Sequence, residues 1–308
     1  MIVEASAPGS MMLLGEHAVL AGKRAVVAAV EPRMSIRLLA RADNTVTVTS
    51  AVENAQTSIG DFTLPASLRF VDCAMQIHKH RFVTGCDLII DSDLPHQRGL
   101  GSSAAVTVAT LAAIRRWLGL STHADCLLQE GVAAVRQAQN GMGSGADVAA
   151  SVVGGLLAFC CLPRPNIVCR FAHCPPIIVL YCGYKTATPQ VIRHVQRLRA
   201  QHPRRHDNIY SAMDTLVQQA LPLCRQQQWP QLGGLLNQGH QLLADLGVST
   251  PLLNTMAQTL RAQPGIWGAK ISGAGLGDCV LAIGNHHEQH WPWPQVHTHI
   301  STKGVHVR

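Results

Sequence analysis

Apolar and polar positions along the chain follow two periods in turn. Ile2 to Ala7 alternates weakly as a first strand, and Ala25 to Val30, Ser35 to Ala40 and Thr45 to Thr49 are β-prone stretches parted by turn residues or charges. They predict an early mixed or antiparallel sheet. Helical spacing appears at Leu68 to His80, followed by a strand at Cys86 to Ile90. Ala104 to Ile114 is small and apolar on every side, the pattern of a closely packed, mostly buried helix. A second helix spans Ala124 to Gln139 and ends at Asn140-Gly141, good C-cap chemistry. Leu156 to Cys161 and Ile177 to Cys182 read as strands, and a basic helix follows Pro189. From His206 to Arg261 the pattern is helical, broken near Trp229-Pro230 and Gly247-Val248-Ser249-Thr250-Pro251 into three helices. Trp267 to Ile271 and Cys279 to Ile283 close the chain as strands, and the tail alternates loosely to Arg308.

Glycine-rich segments interrupt this pattern at four places, the last of them the third loop, Ser272-Gly273-Ala274-Gly275-Leu276-Gly277-Asp278. Gly99-Leu100-Gly101-Ser102-Ser103-Ala104-Ala105 follows a strand and runs straight into the buried helix. Glycine lets the backbone approach an anion, and the first helical turn offers unpaired N–H groups and the positive end of the helix dipole. The loop reads as a phosphate cradle, with a tightly packed helix start as the competing reading. No lysine lies in or beside it, which excludes a Walker A loop. Gly99-x-Gly101-x-x-Ala104 fits a relaxed dinucleotide fingerprint, but the six residues from Asp93 to Arg98 separate it from its strand. A second loop, Gly141 to Ser151, holds one acid, Asp147, readable as a catalytic carboxylate or as a helix-capping aspartate. The first polar break, Pro8 to Leu20, places Gly15, Glu16 and His17 inside an apolar run, as residues facing a cavity do.

Composition narrows the class. At 308 residues, 47% hydrophobic and 14% charged, the chain has ample material for a core. No apolar run approaches the roughly 20 residues of a membrane span, and the N-terminus shows no secretory pattern. Ten cysteines without Cys-x-x-Cys spacing point to buried free thiols and a reducing cytoplasm. The net charge of +7 concentrates in Arg193-His194-x-x-Arg197-x-Arg199 and Arg204-Arg205-His206, and aromatics are only 4%. That distribution speaks against nucleic acid and for an anionic small molecule, a solvated helix face being the alternative. His286, His287, His290, His297 and His299 lack matching cysteine or carboxylate spacing and read as surface imidazoles rather than a metal site.

The order of the three loops resembles the GHMP kinase superfamily. Ala7-Pro8-Gly9-Ser10-x-x-Leu13-x-Gly15-Glu16-His17-Ala18-Val19-Leu20 resembles its first motif, Gly99 to Ala104 the second, and Lys270-Ile271-Ser272-Gly273-Ala274-Gly275 the third. Gly-Glu-His-Ala-Val is closest to the mevalonate kinases of that superfamily. The resemblance implies an α+β fold of two halves: an N-terminal α/β domain with a left-handed crossover, expected at residues 1–165, and a C-terminal ferredoxin-like domain at 166–308. It implies ATP between them, bound by Gly99, Leu100, Gly101, Ser102, Ser103 and Ala104, with Gly273 and Gly275 closing the phosphate side.

The same resemblance gives Ser103 as the Mg2+ ligand, Asp147 as the acid facing the acceptor hydroxyl, and Glu16, His17, Lys185 and Thr186 near the substrate. Two positions depart from mevalonate kinases: Ser10 stands where they carry a lysine, and Arg136 where they carry a magnesium-binding glutamate. Arg136-x-Ala138-Gln139 before Gly-Ser-Gly-x-Asp is more similar to phosphomevalonate kinases. The expectation is an ATP-dependent kinase acting on a small hydroxylated acid, mevalonate first, with phosphomevalonate or a sugar as alternatives and a catalytically silent metabolite sensor as the non-enzyme reading. Lys185 and Arg136 are the two candidates for the missing positive charge. A cytoplasmic protein, with no membrane or nucleic-acid partner and with a homodimer as an allowed assembly, completes the expectation.

Overall fold

The computed structural model describes residues 1–94, 99–285 and 290–308. The chain opens on β1 (Ile2–Leu14), which continues through Pro8-Gly9-Ser10 well past the strand expected to end at Ala7. Gly9 permits this: a Cβ there would lie 2.4 Å from the Leu100 carbonyl oxygen, so only a bare Cα lets the strand pass the glycine loop. β2 (Arg24–Ala40) joins the two expected segments into one long strand, with a register shift between Pro8 and Gly9 on its partner. β3 (Thr45–Ser50), β4 (Ala55–Ser58), α1 (Arg69–Gln76) and β5 (Cys86–Ser92) follow. Then come α2 (Ser102–Trp117), α3 (Ala124–Ala138), α4 (Ala146–Val153), β6 (Leu156–Cys160) and β7 (Asn166–Phe171).

The second half holds β8 (Ile177–Tyr181), α5 (Thr188–Gln201), α6 (Pro203–Arg225), α7 (Trp229–Asp245), α8 (Pro251–Arg261), β9 (Ile266–Ser272) and β10 (Cys279–Gly284). Two short strands, β11 (Gln295–Val296) and β12 (His306–Val307), end it. The three helices expected between 206 and 261 are present with the breaks at Trp229 and Pro251.

One sheet runs β12-β1-β2-β5-β3-β4, with β6 on β2 and β7 on β6; the other is antiparallel, β11-β8-β10-β9. The division expected at 165 therefore shifts: β7 pairs antiparallel with β6 in the N-terminal sheet, and the tail returns to it as Ala5 and Ser6 meet Val307 and His306. Main-chain pairing outweighs position in the chain. The largest core cluster joins the N-terminal sheet to the small, mostly apolar stretch of α2, in which Ala105, Val108, Ala109 and Leu111 to Ile114 are fully buried. A second cluster lies between the C-terminal sheet and α5, α6 and α8. Among the described residues no helix is long and apolar enough to cross a membrane.

Candidate active site

A cleft between the two sheets gathers residues from all three glycine-rich motifs. Two helices point their N-termini at it. The N-cap of α2 is Gly101 at φ 66°, that of α4 is Gly145 at φ 88°, and neither helix has a side-chain cap. The first-turn N–H groups of α2 are thus left for an anion, whereas the Ala146 N–H of α4 donates to the Ser144 hydroxyl at 3.2 Å. Gly99, Gly101, Ser102, Ser103 and Ala104 line the cleft, whereas the Leu100 side chain is buried in the core and its carbonyl accepts from the Ser10 N–H at 2.9 Å.

A Cβ at Gly101 would stand 2.0 Å from Ser10 Oγ and 2.9 Å from Ser10 N, on a left-handed backbone that side chains avoid by about 1–2 kcal/mol. Gly101→Ala is expected to push the cradle away from β1 and weaken nucleotide binding roughly tenfold, the equivalent of that strain. A calorimetric ATP titration that gives wild-type affinity would put the nucleotide elsewhere.

Asp147 lies in the first turn of α4 but does not cap it, since Gly145 holds that position. Its Oδ1 instead accepts a hydrogen bond from the Ser10 hydroxyl at 3.0 Å, leaving the other carboxylate oxygen for a ligand. Burial pushes its pKa up, opposed by the Ser10 hydrogen bond and then by the charge of Lys185. The capping reading of Asp147 gives way to a carboxylate presented to the cleft.

Glu16 and His17 hold the two halves together. The Glu16 carboxylate accepts from the ammonium of Lys270, which is completely buried and also donates to the Ile271 carbonyl. His17 Nε2 donates to the Ala274 carbonyl at 2.7 Å. Burial lowers its pKa, so the ring is neutral near pH 7, and the carbonyl partner assigns the proton to Nε2. The third loop places Gly273 and Ala274 on the cleft; Gly275 packs against Val248 instead, where a Cβ would lie 2.4 Å from its carbonyl oxygen.

Of the residues expected near the substrate after β8, Lys185 lines the cleft but Thr186 does not. The Thr186 hydroxyl donates to the Leu276 carbonyl at 2.5 Å and braces the third loop, and Thr188 faces the cleft in its stead. Arg136 is engaged too: Nε donates to the Gly143 carbonyl at 3.1 Å, tying down the loop before α4. Of the two readings of the basic segment, the exposure of its arginines follows the solvated helix face. Arg193 and Arg197 are exposed, Arg197 contacts His194, and Arg199 pairs with Asp207. Of the tail histidines, His286 and His287 lie outside the described residues.

The structure adds Asp278, which sequence reasoning passed over although it is the one acid of the third loop. Its side chain is 13% exposed and Oδ2 lies 3.8 Å from Lys185 Nζ. Burial raises its pKa to about 6, with Lys185 opposing and Asp147 adding to the rise. The signal that singled out Asp147, a lone carboxylate in a glycine-rich turn, was present here as well.

A sequence model of the GHMP kinases N terminal domain matches residues 69–155, and one of the GHMP kinases C terminal matches 220–290. The mevalonate kinase of Thermococcus onnurineus is 32% identical over 307 residues, covering 92% of this chain and 89% of that protein. The chain belongs to the GHMP kinase family. Among solved folds, the Methanococcus jannaschii mevalonate kinase aligns with a TM-score of 0.77 at 23% identity, over 92% of this chain and 90% of that one. The Lactococcus lactis galactokinase aligns at 0.80 and 17%, over 99% and 95%. This GHMP kinase therefore has the two-domain α+β fold that its three motifs imply.

Proposed function

We propose that this GHMP kinase transfers the γ-phosphoryl group of ATP to the hydroxyl of mevalonate. The observation that carries the reading is the convergence, in one cleft, of the uncapped N-terminus of α2 with the Asp147 carboxylate. Phosphoryl transfer asks the protein chiefly for alignment and for stabilisation of charge. The loop from Gly99 to Ala104 holds the phosphates through its N–H groups. Asp147 orients the acceptor hydroxyl and takes its proton; a carboxylate whose pKa is raised by burial is the better base. Ser10 fixes one oxygen of that carboxylate so that the other faces the acceptor.

The Ser103 hydroxyl and the Asp147 carboxylate offer hard oxygen donors on the cleft, which fits a magnesium ion arriving with the nucleotide. Ser103 is the residue we assign to hold it; when bound, the ion offsets the charge of the β- and γ-phosphates. Mevalonate is favoured over a phosphorylated acceptor by the relative of that name at 32% identity and by the exposure of Arg193 and Arg197 away from the cleft. An arginine fork would otherwise be the natural partner of an acceptor phosphate.

The test is ADP release with mevalonate, phosphomevalonate, homoserine and galactose in turn. Turnover is expected with mevalonate. Preferential turnover of another acceptor would replace the substrate. Thermal stabilisation by one of them without turnover would make the protein a sensor.

A further inference from the structure

The described side chains on the cleft include three carboxylates, Glu16, Asp147 and Asp278, and one lysine, Lys185. A cradle for phosphates ringed by carboxylates repels its ligand unless cations intervene. Among the described residues the other basic groups nearby are committed: Lys270 to Glu16, Arg136 to the Gly143 carbonyl, and His17 neutral and bonded to Ala274. Lys185 is the exception. At 3.8 Å its ammonium is ion-paired with Asp278 but beyond hydrogen-bond reach, and its charge also acts on Asp147.

Asp278 is built to hold that lysine. Its backbone sits at φ 77°, where a residue with a side chain is costly, and two main-chain hydrogen bonds keep it there. The Asp278 N–H donates to the Tyr184 carbonyl and its carbonyl accepts from the Cys182 N–H, each at 2.9 Å. These clamp it to the segment that carries Lys185. Its carboxylate rests on the bare Cα of Gly99, where a Cβ would lie 2.0 Å from Oδ1, and Oδ1 is buried without a hydrogen-bond partner. The pair from the C-terminal half is thereby set against the first residue of the phosphate loop of the N-terminal half.

We propose that Lys185 is the cation of the phosphoryl-transfer centre and that Asp278 is the positioning residue that aims it. The proposal rests on the kinase reading above. In the transfer, the acceptor oxygen forms a bond to the γ-phosphorus and the bond from that phosphorus to the β,γ-bridging oxygen breaks. The electron pair of the broken bond leaves with ADP, and the acceptor proton goes to Asp147. Lys185 gives up no proton and neutralises charge on the oxygens in flight. Asp278 touches neither substrate; it restrains the lysine.

Lys185→Met should lower kcat by about 10²–10³-fold, the loss typical of one preorganised transition-state donor, with ADP affinity changed less than about threefold. Lys185→Arg keeps the charge and should recover part of the loss. Asp278→Asn should lower kcat about tenfold in the wild-type background and not further beside Lys185→Met, since the two act as a unit. Calorimetry of ADP with aluminium fluoride against ADP alone gives a readout without an acceptor: Lys185→Met should abolish the extra affinity. Melting curves separate these effects from unfolding, and Lys185 at 35% exposure tolerates replacement. A Lys185→Met enzyme with near wild-type kcat, or one with the full aluminium fluoride enhancement, would overturn the proposal. So would an equal loss from Asp278→Asn in both backgrounds. A wild-type protein that turns over no acceptor fails the kinase reading alone, because the aluminium fluoride comparison still tests the pair.

Discussion

Asp147→Asn is expected to lower kcat by roughly 10²–10⁴-fold, the usual worth of a general base, while leaving the folded protein more stable at neutral pH. The two effects have one cause. Burial disfavours the Asp147 carboxylate, so its pKa in the folded protein lies above the value of the unfolded chain. Between those two values the folded state binds more protons, so stability falls as pH rises through that window. Asparagine carries no charge to desolvate and still accepts from Ser10, so the variant escapes the loss. Its advantage in melting temperature should be full above the folded pKa and vanish below the ordinary carboxylate pKa of about 4. The helix does not suffer, because Gly145 and not Asp147 is its N-cap. Nucleotide affinity should change far less than kcat. Steady-state kinetics, an ATP titration and melting curves across pH check all three. A variant with near wild-type kcat and a melting curve that tracks the wild type at every pH would remove Asp147 from the mechanism.

The parts of this site that were legible in the sequence are those that local backbone chemistry dictates. Gly101, Gly145 and Gly273 all have positive φ, so the loops that carry them announce themselves as glycines. The helix after Gly101 announces itself by its small apolar run. Partnership across the fold was not legible. The approach of Asp278 to Gly99 and of Ser10 to Asp147 joins residues more than a hundred positions apart, and no periodicity encodes it. The same holds for the return of His306 and Val307 to β1: a two-residue strand has no pattern to read, and its pairing depends on an edge built at the other end of the chain. β7 was missed for a related reason. As an edge strand it alternates exposed with half-buried positions and ends buried only at Phe171, so its apolar signal is weak. The basic helix left two readings open, because charge density alone does not say whether a face looks at a ligand or at water.

Lys270→Met should cost about 3–5 kcal/mol of stability, as breaking one side of a buried ion pair does. Lys270 is wholly enclosed on β9 and Glu16 is 4% exposed beyond the end of β1, so removing the ammonium strands an anion where water cannot reach it. The lysine stem is packed too: a Cβ on Gly239 of α7 would already lie 3.6 Å from Lys270 Cε. Burial lowers the Lys270 pKa and the neighbouring Glu16 charge opposes that shift. At about 1.5 °C per kcal/mol for a chain of 308 residues, the melting temperature should fall by roughly 5–8 °C. Glu16→Gln in the Lys270→Met background removes the stranded charge and should restore most of the loss, because a neutral pair of similar volume replaces an ionic one at little net cost. Activity should not return with stability. Glu16 and His17 sit side by side between β1 and the third loop, line the cleft, and join its two halves through Lys270 and the Ala274 carbonyl. Denaturation of the two single variants and the double variant decides the matter. If the double variant loses the sum of the single losses, the two side chains stabilise the fold separately and the ion pair is not what joins the halves.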